Sequence, residues 1–445
     1  MTLTEASFWT KRFGVIGGAA LLIILTIIII VVYTGNKPSI PQEYLLPNYG
    51  CTEKAEEFLQ KAKIEIPSLE IDPNSEAVFN ILTPTGKINE LPSVVNVYKF
   101  ENPTQSWSSQ AYAKVLAGNL GFDKEKIIIE DIYTYKWRDN VNLRTLVVNA
   151  KNLNFTLETD PQRIRNVSDQ ESLPSEQSAK STAQNILRTK GLLDNSSEYS
   201  FKITKTTYIN LNADGTFSKA LSASEAELIK VDFSREKSMI TFSSELVGTD
   251  KMIKDFTAST GTEPQTVKRT INDKSVEFYT FDTRVVLPKS QDSNISVYIG
   301  PEDKKSKLSG GLTSTYKIDY TYWPISFDPC GTYPLIPTAT AVNEVSKGNG
   351  SIAYLYEKDG DDISGYRQKN VKQFRINTNV KILYYETPEE QDFLVPIYLI
   401  SGEAVFNDDT TGLFDIYYPA IDYNNIKDKV IQKQIPVEEK KNSFL

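Results

Sequence analysis

The feature that most constrains this chain is an apolar run near its N-terminus, residues 15–33, that contains no charged side chain. As a helix rising about 1.5 Å per residue, this run spans roughly 28 Å, close to the thickness of a bilayer core. Lys11 and Arg12 precede it, and the positive-inside rule then predicts a cytoplasmic segment 1–13 and a transmembrane anchor 14–33. A cleaved signal peptide fits less well, because the run is long and no small-x-small cleavage site follows it.

The residues that follow this segment are predicted to begin with an extended spacer. Residues 34–50 contain Pro38, Pro41 and Pro47, which favour a semi-rigid linker. The predicted localisation is therefore the cell membrane, with a single pass, a cytoplasmic N-terminus and the bulk of the chain extracytoplasmic.

Composition favours strands and argues against one class of partner. The chain has 24 Tyr and 20 Phe, and residues of this kind are enriched in β-strands. Its formal net charge is −8, whereas nucleic-acid binding depends on a positive surface. We therefore expect a β-rich ectodomain and no nucleic-acid partner.

A unit made of one amphipathic helix and several alternating strands recurs along the chain. Gly121, Gly191 and Gly348 each follow a helical pattern as expected for a C-terminal cap. Alternation is clearest where Tyr316, Ile318, Tyr320 and Tyr322 interleave with polar residues. The sequence thus predicts an α+β class, with tandem helix-plus-antiparallel-sheet units at 51–165, 166–325 and 326–424, and a disordered tail at 425–445.

Residues 393–400 predict a strand that is apolar on both faces. The strand contains Pro396, which cannot donate to a ladder, so we expect it at a sheet edge or a bulge. A partner strand could add to such an edge. The predicted partner-binding residues are Phe393, Val395, Ile397 and Tyr398.

The chain has only two cysteines, Cys51 and Cys330. A disulfide between them is possible outside the cytoplasm, but their spacing does not test it. Two unpaired thiols remain the alternative.

The absence of histidine is the strongest constraint on chemistry. It excludes Ser-His-Asp triads, Cys-His pairs and the common zinc sites. Two serine–lysine spacings, Ser234 to Lys237 and Ser314 to Lys317, lack the helical context that such a nucleophile needs. No catalytic residue is predicted.

Two loops carry spacings similar to those of calcium sites. One runs from Asn210 through Asp214 to Gly215, but Leu221 stands where an EF-hand requires glutamate. The other, at residues 359–362, fails the same pattern. Both are better explained as turns, where Asp-Gly is favoured, so no metal and no cofactor are predicted.

Several segments resemble the YycH/YycI regulators of a bacterial sensor histidine kinase and, more loosely, PepSY/cystatin-like ectodomains. The segments are Leu-Gly-Phe at 120–122, Val-Asp-Phe at 231–233, Gly-Thr-Tyr-Pro-Leu at 331–335, Leu-Tyr-Tyr at 383–385 and Leu-Val-Pro-Ile-Tyr at 394–398. In that family a tyrosine strand and a Pro-x-aromatic strand similarly close the last domain. The resemblance implies a binding or regulatory ectodomain without catalytic residues of its own.

These observations together predict a single-pass membrane-anchored, extracytoplasmic protein that works by protein–protein interaction and is not an enzyme. Its expected partners are the membrane and an unidentified membrane or envelope protein, with a sensor kinase as the candidate that the resemblance implies. A carboxylate-based hydrolase of envelope glycans and a passive structural component of the envelope stay open as alternatives.

Overall fold

The computed structural model describes residues 47, 49–51, 78–82, 94–101, 103, 106–193, 201–244, 249–271, 274–290, 292–357, 371–377, 380–387 and 390–422. The predicted cytoplasmic segment 1–13, anchor 14–33 and tail 425–445 lie outside these residues, as does most of the spacer 34–50. Within the described ranges, no helix is both long enough and apolar enough to cross a membrane. Membrane attachment therefore stays a prediction from the sequence.

Strands dominate the described part of the chain. The helices are α1 (Ser109–Asn119), α2 (Pro161–Ser168), α3 (Glu176–Thr189), α4 (Thr249–Thr260) and α5 (Thr338–Ser346), with a 3-10 turn at Gly310–Ser314. The strands are β1 (Val78–Leu82), β2 (Val94–Lys99), β3 (Ile128–Ile129), β4 (Thr134–Asp139), β5 (Arg144–Asn149), β6 (Phe155–Thr159), β7 (Phe201–Leu211), β8 (Phe217–Lys219), β9 (Leu228–Ser243), β10 (Gln265–Ile271), β11 (Lys274–Val286), β12 (Ile295–Ile299), β13 (Thr315–Tyr320), β14 (Gly331–Pro334), β15 (Ser351–Glu357), β16 (Val371–Asn377), β17 (Lys381–Tyr385), β18 (Phe393–Phe406) and β19 (Thr411–Pro419).

The first part of the fold is an antiparallel sheet covered on one face by α1 and α3. Its strand order is β3-β4-β5-β6-β13-β12-β9-β7-β8. Ala113 and Leu116 of α1 and Ala183 of α3 are buried against strand residues such as Val231 and Ile318. Small helix residues allow close approach, so the apolar stripe of each helix lies directly on the sheet.

The second part is a mixed sheet around the long strand β18. β19 pairs with one side of β18 and β15 follows β19, while β16 and β17 share the other side. β1 then runs parallel to β16, and the end of β11 runs parallel to β17. The largest apolar cluster among the described residues fills this part and includes Phe256 of α4 and Val342 of α5.

β9 and β11 join the two parts. The first half of β9 pairs with β7 and β12, and its second half pairs with β11, which in turn reaches β17. β6 also pairs with β13, and β2 pairs with β14, although each pair lies far apart in the chain. The predicted α+β class, a transmembrane helix followed by tandem PepSY/cystatin-like units, is therefore wrong for the described residues. They form one continuous, mostly β network that contains parallel as well as antiparallel pairs.

The prediction that residues 393–400 form an edge strand is also wrong. β18 is paired on both sides, and Phe393, Val395, Ile397 and Tyr398 are all buried. The carbonyl of Pro396 accepts a hydrogen bond from the amide of Ala420 at 3.3 Å. Because the N–H and C=O of a strand residue point the same way, the N–H that proline lacks would face the end of β19, where the ladder stops.

Cys51 and Cys330 form a disulfide, with their Cα atoms 4.9 Å apart. The bond holds residues 49–51 against β14, where the amide of Tyr49 donates to the carbonyl of Thr332 at 3.2 Å. The rings of Tyr49 and Tyr333 also meet edge to face, 5.4 Å apart. The segment that enters the fold is thus fixed to β14 by covalent, polar and aromatic contacts.

A buried ion pair lies between the two parts of the fold. Arg235 of β9 donates through Nε to Oε2 of Glu386 at 3.0 Å and through Nη1 to the carbonyl of Trp323 at 2.6 Å. The Asn294 amide donates to the same carboxylate oxygen at 3.1 Å. Burial raises the pKa of Glu386, although Arg235 and Asn294 act in the opposite direction. Desolvation is therefore the largest effect on this group, and each charge depends on the other.

We expect Glu386→Ala to lower the free energy of unfolding by about 3–5 kcal/mol, because the buried Arg235 charge loses its partner. The matched control is Glu403→Ala, which breaks the exposed ion pair with Arg375. That change should cost about 0–1 kcal/mol. Urea unfolding at neutral pH measures both, and equal costs would contradict a special role for the buried pair.

Reduction of the disulfide should destabilise the protein by about 2–5 kcal/mol, because the unfolded chain gains conformational freedom. The double variant Cys51→Ala/Cys330→Ala should start at this lower stability and show no response to a reductant. Unfolding curves recorded with and without dithiothreitol test this. An identical wild-type curve in both conditions would count against the bond.

Candidate functional site

A groove opens on the first sheet where the ends of α1, α3 and β13 meet the loop between β5 and β6. Its volume is about 490 Å³. We call it the tyrosine groove and define it by Tyr112, Tyr320, Tyr322, Lys151 and Lys190, all of which line it. A concavity of this size suits a small molecule or a short peptide segment.

The floor of the groove is held rigidly. Tyr320, at the end of β13, stacks on Phe155 with ring centroids 5.0 Å apart and donates its hydroxyl to the carbonyl of Leu192 at 3.2 Å. The amide of Tyr322 donates to the side chain of Asn154 at 2.8 Å. These contacts fix the aromatic surface before any ligand arrives.

One wall of the groove is an unusually apolar outer face of α1. Ala113, Leu116 and Ala117 are buried, whereas Tyr112 and Val115, which line the groove together with Leu116, are 61% and 58% exposed. Trp107, just before the helix, is fully exposed. Clusters of large exposed apolar side chains mark interaction sites more often than isolated ones do.

The charges in the groove are of one sign. Lys151 and Lys190 line it, and no aspartate or glutamate does. Lys151 pairs with Glu390 outside the groove. Lys190 makes no ion pair with any described residue. The groove can therefore accept an anionic group beside an apolar one, but its lining offers no carboxylate for acid–base chemistry.

The residues singled out from the sequence lie elsewhere. Phe393, Val395, Ile397 and Tyr398 are in the core of the second part, and the Cys51–Cys330 bond is beside β14. Neither set contributes to the lining of the tyrosine groove.

The loops and serine–lysine spacings have structural roles where they are described. The Asp214 carboxylate accepts from the amide of Thr216 at 2.9 Å, as in an ordinary turn. Lys237 donates to the carbonyls of Ser326 and Phe327, and Lys317 pairs with Glu158. Residues 359–362 lie outside the described ranges. Among the described residues, no group of acidic or cysteine side chains could hold a metal ion.

Sequence reasoning missed the wall formed by α1. Alternation placed Tyr320 and Tyr322 on a strand but did not show which face they occupy. The available signal was the pair Tyr112 and Val115, three apart on the face of α1 that should be polar, with Trp107 ahead of them.

In comparison with known proteins, the chain matches no family model and no curated protein sequence. The resemblance to the YycH/YycI regulators therefore stays a prediction from the sequence.

Proposed function

We propose that this protein is an extracytoplasmic binding or regulatory protein that captures a segment of a partner protein in the tyrosine groove. The observation that carries the proposal is the exposed apolar pair Tyr112 and Val115, which lines the groove beside a rigid, concave aromatic floor. Tyrosine and tryptophan provide large contact areas at a low cost in conformational entropy, which is why they dominate binding hot spots.

The charges of the groove indicate what kind of segment binds. Lys190 contributes a positive charge that has no ion-pair partner among the described residues, the charge of Lys151 is paired with Glu390, and the lining residues contribute no negative charge. A partner segment with an aromatic or aliphatic side chain and a neighbouring carboxylate would complement both features. The proposed occupant is thus an acidic, partly apolar peptide segment of a membrane or envelope protein, with a sensor kinase as the candidate class.

The disulfide supports a place outside the cytoplasm. Bonds such as Cys51–Cys330 form and persist in oxidising compartments and are rare where thiols are kept reduced. The alternative of a glycan hydrolase has no support at this site, because such enzymes need two carboxyl groups across a cleft and the groove lining has none.

The proposal is tested by site-specific photocrosslinking in native membranes. A photoreactive phenylalanine analogue at Tyr112 should give a discrete adduct that mass spectrometry assigns to one partner segment containing acidic residues. The same analogue at Leu221, an exposed apolar position that does not line the groove, is the control and should not give this adduct. An identical adduct at Leu221, or no adduct at Tyr112, would contradict the proposal.

Binding of the identified segment should then depend on the wall of the groove. The double variant Tyr112→Ala/Val115→Ala should weaken binding by about tenfold or more, since each change removes an apolar contact worth at least 1 kcal/mol. Thermal stability should be nearly unchanged, because both side chains are exposed. Fluorescence anisotropy with the labelled segment measures the affinity, and Leu221→Ala should leave it unchanged.

A further inference from the structure

The sheet of the second part has an open edge at β1. This strand runs parallel to β16 along all 5 of its residues, and no described strand pairs with its other side. An edge strand presents a row of backbone N–H and C=O groups that can pair with another chain. A strand from outside the fold can therefore add to the second part at β1.

The side chains of β1 are mostly apolar and exposed. Val78, Ile81 and Leu82 are 57%, 41% and 46% exposed, and the strand contains no charged residue and no proline. Natural sheets usually protect an open edge with a lysine, a proline or a bulge. β8 and β10, which lie at other edges, contain Lys219 and Lys268. β1 lacks such protection, which favours an edge that pairs over one that avoids pairing.

The register with β16 shows which side chains of β1 face the core. Phe79 lies beside Phe374, with the two rings stacked 4.9 Å apart, and Ile81 lies beside Ile376. Phe374 and Ile376 are fully buried, whereas Phe79 is half-buried and Ile81 is exposed. The apolar layer of the second part thus extends to β1 and is incompletely covered there.

The other face of β1 carries Val78, Asn80 and Leu82. Asn80 is exposed and lies beside Arg375, whose charge is paired with Glu403 at 2.8 Å. The neighbours of Val78 and Leu82 on β16 are uncharged. Like charges that face each other across two strands are destabilising, but these neighbours leave no unbalanced charge beside β1. Two identical copies can therefore approach each other at this edge.

Two copies of β1 complement each other in one antiparallel register. When Asn80 faces Asn80 of a second copy, Val78 faces Leu82 and Phe79 faces Ile81, by symmetry in both directions. Apolar side chains then meet apolar side chains on both faces of the sheet. The single polar side chain meets itself, and its amide can both donate and accept a hydrogen bond. Neighbouring registers would instead place Asn80 opposite an apolar residue.

We propose that this protein forms a homodimer by antiparallel pairing of β1 with β1 of a second copy. The two-fold axis passes beside Asn80, so the sheets of the two copies join into one, and Ile81 of each copy packs beside Phe79 of the other. Five paired residues span about 17 Å, which gives a small interface and a weak, concentration-dependent dimer. The proposal does not depend on the tyrosine groove or on the proposed function.

Disulfide trapping in the full chain tests both the dimer and its register. The two native cysteines are bonded to each other, so an introduced cysteine is the one free thiol. Under mild oxidation at high protein concentration, Asn80→Cys should give a linked dimer, because facing Cα atoms lie about 4.5–5.5 Å apart. Val78→Cys is the matched control and should give none, since its two copies would be about 14 Å apart along the strands. Mass spectrometry should show that the bond joins residue 80 of both copies.

A mixed sample tests the register a second time. Val78→Cys and Leu82→Cys should each fail to give a linked dimer alone and should give one when the two proteins are combined, because these positions face each other. Equal trapping of Asn80→Cys and Val78→Cys would indicate random collision and would overturn the proposal. So would the absence of a linked dimer from every sample, which is the result expected if a strand of a different protein occupies the edge.

A charge placed at the two-fold axis should prevent the pairing. Asn80→Lys, added to both proteins of the mixed sample, sets two lysines opposite each other and should abolish the linked dimer. Ile129→Lys, at an exposed position of β3 on the edge of the other sheet, is the matched control and should leave the dimer unchanged. Trapping that persists with Asn80→Lys, or that is lost equally with Ile129→Lys, would contradict the proposal.

Thermal melting shows whether each variant is folded. Asn80 and Ile129 are both exposed, so the two lysine variants should melt close to the parent protein. If Asn80→Lys does not fold, the comparison of Asn80→Cys with Val78→Cys decides the matter alone.

Discussion

The buried pair of Arg235 and Glu386 is the constraint around which the two parts of the fold are arranged. Arg235 belongs to β9, the strand shared by both parts, and Glu386 directly follows β17 in the second part. A single carboxylate oxygen accepts from the arginine and from Asn294, so three distant segments converge on one atom. Because two charges lose their hydration at this point, small displacements of one part against the other would be costly. The tyrosine groove lies next to this junction, since Arg235 also lies 5.5 Å from the ring of Tyr322.

Local structure could be predicted where neighbours in the chain decide it. The helix α3 begins after Ser175, whose hydroxyl accepts from the amide of Ser178, and it ends before Gly191, whose φ of 70° favours glycine. β9 shows the limit. This strand runs from Leu228 through Phe233 and continues to Ser243. The continuation contains Arg235 and Lys237, which can be buried only because their partners come from segments far along the chain.

The arrangement of strands could not be predicted for a related reason. A period of two shows that residues alternate between faces, but it does not show which strand lies beside them. β6 pairs with β13, and β2 pairs with β14 and β18. These strands are far apart in the chain, and no repeat in the sequence indicates that they are neighbours. The groove was not predicted for the same reason. The tyrosines of β13 were visible as a strand pattern, but the groove exists only because α1 and α3 end beside them.

The disulfide has a mechanical consequence. A pulling force applied to the chain ahead of Cys51 would pass through the sulfur atoms to Cys330 and from there into β14, bypassing the residues between Cys51 and β2. β14 is hydrogen-bonded to β2, and β2 to the beginning of β18. Tension would thus reach β18, the central strand of the second part, which begins shortly after Glu386 in the chain. If the protein is held by the chain ahead of Cys51, the load is therefore applied at its centre and not at its periphery.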